Sequence, residues 1–136
     1  MIKSQRKHTD EVIIKVEEVL KIKKYELEEL SMAKVINSNE FIEHVENTKG
    51  VVVVDFFATW CGPCKMLAPV FEGVSSKMGD KANFFKVDID KNGNIAQKYR
   101  IYAVPTMIIF KDGVPVENLA GFMPEQNITN KVKAYL

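Results

Sequence analysis

The sequence predicts an α/β fold, with a central mixed β-sheet flanked by helices on both faces and an N-terminal amphipathic helix ahead of it. Three observations carry that expectation. From Met32 onward, β-branched and aromatic runs alternate with helix-period stretches in the order β-α-β-α-β-α-β-β-α. Val51 to Phe57 is a β-branched and aromatic run interrupted only by Asp55, which is the pattern of a strand buried on both faces. Lys111-Asp112-Gly113 supplies the Asp-Gly turn of a hairpin near the end.

The chain divides near Met32 into an extension, residues 1–31, and one domain, residues 32–136. The extension has no Gly or Pro and is dense in Lys and Glu, with seven acidic residues balancing seven basic ones. Thr9 is a candidate cap, and Asp10 and Glu11 suit a first turn. Val12, Ile13, Val16, Val19, Leu20, Leu27 and Leu30 then fall within about one third of a helical wheel. Lys23 interrupts the stripe. Such a helix needs a partner surface, either its own domain or a second copy, so a monomer and a dimer through this helix both stay open.

Within the domain, Lys34 to Ile36 reads as a short strand. Ser38 is placed to cap a helix over residues 39–47, with Phe41, Ile42 and Val45 as its apolar face. Gly50 ends that segment and the Val51–Phe57 strand follows. The next helix opens at the cysteines and runs to about Lys77, with Pro69 inside it, where a missing backbone donor predicts a kink. Asn83 to Ile89 is the next strand, and Ile95 to Tyr99 belongs to a short helix. Val104 to Phe110 is a further strand, paired through the Asp-Gly turn with Val116 to Leu119. Gly121 breaks that strand, and Glu125 to Tyr135 forms the last helix with Ile128, Val132 and Leu136 on one face.

Bulk composition narrows the function classes. A chain of 136 residues with 46% hydrophobic and 27% charged residues is one ordinary globular domain. A net charge of +1 makes no electrostatic case for nucleic acid or an anionic membrane as partner. The first thirty residues lack the apolar stretch of a signal peptide, and nowhere do eighteen apolar residues run together, so the expected location is cytoplasmic.

The chemistry concentrates in Trp60-Cys61-Gly62-Pro63-Cys64-Lys65, which holds the only two cysteines. They have only each other as intramolecular partners, which makes a reversible dithiol couple the leading reading. Gly62 tolerates a tight backbone, and Pro63 suits a first helical turn. Cys61, and not Cys64, would then be exposed at a helix N-terminus, where unsatisfied N–H groups and the macrodipole favour the nucleophilic thiolate. A zinc site is disfavoured because the other candidate ligands, His8 and His44, lie in unrelated contexts. A structural disulfide is disfavoured because so short a loop constrains little chain entropy.

The segment from Val54 to Pro69 closely resembles the active-site segment of the thioredoxin family. Residues 85–90, Val104-Pro105-Thr106 and Gly121 resemble that family's later landmarks in the right order, so the resemblance covers residues 32–136. It implies the thioredoxin fold and a thiol–disulfide oxidoreductase that reduces protein disulfides. Cys61 would attack, and Cys64 would resolve the mixed disulfide. Asp55 would take the Cys64 proton, with Lys86 nearby to bias its charge, and Pro105 resembles the family's cis-proline. Trp60, Gly62, Pro63, Ala103, Val104, Gly121 and Phe122 would form the ground on which an extended substrate segment lies. The resemblance also implies no metal and no bound cofactor beyond the Cys61–Cys64 disulfide, with electrons from an external thioredoxin reductase. Phe57 departs from the tryptophan many members carry there, with packing and fluorescence the expected consequences. Two rival readings are a disulfide oxidase or isomerase, and a redox-independent binding module docking through the same surface. The first is disfavoured by the missing signal peptide and the Gly-Pro dipeptide.

Overall fold

The computed structural model describes residues 33–136 and Glu18; apart from Glu18, which is helical and exposed, the expected N-terminal helix lies outside the described residues. Five strands form one sheet in the order β1-β3-β2-β4-β5: β1 is Lys34–Val35, β2 Val51–Phe57, β3 Asn83–Asp88, β4 Thr106–Lys111 and β5 Val114–Ala120. β2 lies in the middle, parallel to β3 and antiparallel to β4, so the sheet is mixed. β1 runs parallel to β3, and β5 pairs antiparallel with β4.

β2 is central because it has no polar face to show water. Val51 to Phe56 are all buried, and alternation sends successive side chains to opposite sides. Val51 and Val53 pack with Leu67, Phe71 and Val74 of α2 (Gly62–Met78) and with Ile128 and Val132 of α4 (Glu125–Lys133). Val52, Val54 and Phe56 pack on the other face with Phe41 and Val45 of the first helix and Ile95 of α3 (Gly93–Lys98). Helices therefore cover both faces, and β2 joins the two cores. Aromatic contacts fill the second core: Phe41 meets Phe56, Tyr99 and Phe110 with ring centroids 5.4 to 6.2 Å apart.

The first helix departs from its expected form. Its α-helical part, α1, is Ser38–Phe41, and Ile42–Glu46 continues it as a π-helical turn. The cap is Asn37 instead of Ser38: Asn37 Oδ1 accepts from the Glu40 N–H at 2.9 Å, and Glu40 Oε1 accepts from the Asn37 N–H at 3.2 Å. Only Asn37 has glutamate three residues on, so only there do the two orphan donors satisfy each other. The Ser38 hydroxyl instead donates to Asn94 Oδ1 at 2.8 Å. Strand β4 also begins later than expected, at Thr106. Pro105 has no N–H to give a ladder, and the Val104–Pro105 peptide is cis.

The β4–β5 turn has positive φ at both Asp112 (52°) and Gly113 (81°), the backbone a tight two-residue hairpin requires. Gly113 also lies against the Glu46 carbonyl, into which a Cβ would be driven. Gly113→Ala is therefore expected to destabilise the domain by about 2 kcal/mol or more, read as a lowered urea midpoint; an unchanged midpoint would show that the turn relaxes freely.

Candidate active site

The site forms where β2 ends and α2 begins. The chain leaves Phe57, passes buried Ala58, and Cys61 caps α2 in extended conformation, φ −84° and ψ 117°. Its sulfur accepts from the Cys64 N–H at 3.2 Å, so an orphan donor of the first helical turn is spent on the sulfur. Gly62 and Pro63 open the helix, where proline loses no hydrogen bond. Cys61 and Cys64 form a disulfide with Cα atoms 5.2 Å apart.

Neither cysteine is open to water in this oxidised form. Cys61 is 4% and Cys64 5% exposed, whereas the sequence reading expects Cys61 alone to be exposed. Both pack with Ala58 against Phe57, Ile89 and Val104, which removes the expected asymmetry. What distinguishes Cys61 is its position: its Sγ lies 3.6 Å from the Val104 carbonyl oxygen, beside the cis Val104–Pro105 peptide.

The proposed substrate ground is gathered at this end of the sheet. Trp60 is 68% and Phe122 43% exposed, Gly62, Pro63 and Ala103 are exposed, and Val104 is half-buried. Gly121, with φ of 84°, donates its N–H to the Pro105 carbonyl at 2.8 Å, tying the end of β5 to the proline segment. The Trp60 indole N–H donates to Asp90 at 2.8 Å, which fixes the exposed ring.

Asp55 lies in the fully buried part of β2. Neither carboxyl oxygen has a hydrogen-bond partner among the described residues. Burial raises its pKa from 3.8 to about 6; the Lys86 ammonium opposes the rise and the Glu72 carboxylate adds to it. Lys86 stands opposite Asp55 in the β2–β3 register, half-buried, with Nζ 5.0 Å from the centroid of the Phe57 ring.

Some residues of the site escape the sequence reading. Asp90 closes the 85–90 stretch, but nothing local marks it as the partner of the Trp60 indole 30 residues away. Met66, 60% exposed, and Tyr102, 88% exposed, flank the named surface in sequence. Glu72 had a usable signal, since Cys64, Ala68 and Glu72 recur every four residues along one helix face. Among the described residues no group of three or more His, Cys, Asp or Glu is placed to hold a metal ion, and no helix is long and apolar enough to cross a membrane.

Comparison with known proteins gives a consistent result. The thioredoxin family model matches residues 32–134. Thioredoxins of Staphylococcus saprophyticus and Staphylococcus haemolyticus are 43% identical over 107 residues, which is 79% of this chain and 100% of each relative. The crystal structure of Malassezia sympodialis thioredoxin superposes with a TM-score of 0.69 at 40% identity, covering 76% of this chain and 90% of that one. A mutant thioredoxin from Halobacterium salinarum superposes at 0.71 with 32% identity, covering 77% and 91%.

Proposed function

We propose residue roles on one premise: the chain belongs to the thioredoxin family and is a thiol–disulfide oxidoreductase that reduces protein disulfides through Cys61 and Cys64. In the reduced protein the Cys61 thiolate attacks one sulfur of a substrate disulfide. A Cys61–substrate disulfide forms and the other substrate sulfur leaves as a thiolate, which takes a proton. Cys64 then gives its thiol proton to Asp55 and attacks Cys61 Sγ. That breaks the mixed disulfide, frees the second substrate thiolate and leaves the Cys61–Cys64 disulfide. Two electrons have passed to the substrate.

The observation that carries this order is the cap. Cys61 Sγ is the sulfur that accepts the Cys64 N–H and faces the Val104 carbonyl beside Trp60. A helix N-terminus favours the charged form of the sulfur it meets. Cys64 lies inside the first turn of the helix, and buried Asp55 is the acceptor assigned to its proton. Lys86 biases the charge of Asp55, and Pro105 with Val104 lines the approach to Cys61. An extended segment of the substrate lies over Trp60, Gly62, Pro63, Ala103, Val104, Gly121 and Phe122. No metal or bound cofactor takes part, and a thioredoxin reductase returns two electrons and two protons to the disulfide. The protein works in the cytoplasm with residues 32–136 as its catalytic unit, without a nucleic-acid or membrane partner.

Insulin-disulfide reduction coupled to a thioredoxin reductase tests the assignment. The full chain is expected to turn over, and a Cys61→Ser, Cys64→Ser form is expected to fall to background. Zero turnover by the folded parent would favour the binding-module reading.

A further inference from the structure

Asp55 and Phe57 are two residues apart on β2, so alternation puts both side chains on the face that Val51 and Val53 share with α2. Phe84 of β3 belongs to the same cluster, and Lys86, two residues on, projects to that face as well. Lys86 is opposite Asp55 across the ladder. Yet none of the ion pairs among the described residues involves Lys86, and Asp55 accepts no hydrogen bond there. The ammonium lies on the Phe57 ring instead, 5.0 Å from its centroid, within the range where the ring quadrupole attracts a cation.

We propose that Phe57 is a positioning residue for proton transfer: its ring seats the Lys86 ammonium near Asp55 without closing an ion pair, which keeps the carboxylate able to accept the Cys64 proton. The proposal rests on the reading of Asp55 as that acceptor.

The two alternatives to a seated ammonium would each spoil the base. A contact ion pair inside the protein stabilises a carboxylate strongly, lowering its pKa by roughly 1 to 3 units and weakening it as an acceptor. An ammonium extended into water leaves the buried carboxyl without its one opposing charge, so that it holds a proton near neutral pH. The charged groups acting on Asp55 are Lys86 from β3 and Glu72 from α2, and reduction adds the two thiols of Cys61 and Cys64 at the start of α2. Met107, its neighbour across β4, carries no charge. Among the described residues Lys86 is therefore the only cation in the balance, and what holds it sets the balance. Phenylalanine presents a π face to the lysine and no N–H that would compete for the carboxylate.

The test is the titration of the Asp55 carboxyl carbon by NMR in the full chain, reduced. Phe57→Leu removes the ring face and keeps an apolar side chain. It is expected to raise the Asp55 midpoint by roughly half a pH unit, the scale of a cation–π contact at a partly exposed site. In a Lys86→Met background, Phe57→Leu is expected to move nothing further. An unchanged or lowered midpoint in Phe57→Leu overturns the proposal, as does an equal rise in both backgrounds, since the ring would then act without Lys86. If Phe57→Leu does not fold, the parent decides: upfield ring-current shifts of the Lys86 ε-methylene protons support the seat, and ordinary shifts overturn it. Turnover of Asp55→Asn judges the acceptor reading separately. Full activity there removes the catalytic reading of Asp55, whereas a flat Phe57→Leu titration removes the seat.

Discussion

A Cys64→Ser variant is expected to accumulate mixed disulfides with its protein substrates, and Cys61→Ser to accumulate none. The first step needs only the sulfur at the helix cap, so it survives loss of Cys64. The second step needs a sulfur within reach of Cys61 Sγ, and a serine hydroxyl at position 64 is too weak a nucleophile at its ordinary pKa to open the bond. The covalent adduct then persists, and insulin turnover drops by about a hundredfold or more. In Cys61→Ser the remaining sulfur lies inside the helix and is neither the cap sulfur nor the one that meets the Val104 carbonyl. Non-reducing electrophoresis and mass spectrometry after exposure to oxidised insulin distinguish the two. Adducts on Cys64 in the Cys61→Ser protein would exchange the roles.

The division between what sequence reveals and what it hides follows the range of the interactions. The Val51–Phe57 strand is legible because burial on both faces is written in seven consecutive residues, and the Asp112-Gly113 hairpin because two positive φ angles demand those residue types. The cap of α1 lies one residue before the expected Ser38 because Asn37 and Ser38 are both good caps and Glu40, three residues after Asn37, decides between them. The burial of Cys61 is hidden from the sequence because its cover comes from Ala58, Ile89 and Val104, the last of them 43 residues away along the chain. The Lys86–Phe57 contact was invisible for the same reason. It depends on the register of two strands separated by the whole of α2, and no local pattern encodes register.

Asp55→Ala is expected to make the oxidised protein more stable at pH 7 and to slow its turnover. The carboxyl is 0% exposed and its oxygens have no hydrogen-bond partner among the described residues, so burial favours the neutral form and raises the pKa from 3.8 to about 6. The folded protein thus holds this proton more tightly than the unfolded chain does. Below pH 3.8 the carboxyl is neutral in both states and costs nothing. Between 3.8 and about 6 the unfolded chain ionises first, so stability falls as pH rises; above about 6 the penalty is complete. A rise of about 2 units corresponds to roughly 3 kcal/mol. Alanine leaves a small cavity, which offsets about 1 kcal/mol of that. The net gain is about 2 kcal/mol at pH 7 and vanishes near pH 4, where urea unfolding of parent and variant should coincide or reverse. Turnover is expected to fall about tenfold or more, because a positioned base is lost from the Cys64 step. A variant that is less stable at pH 7 and fully active would make Asp55 a structural residue and leave the Cys64 proton without a protein acceptor.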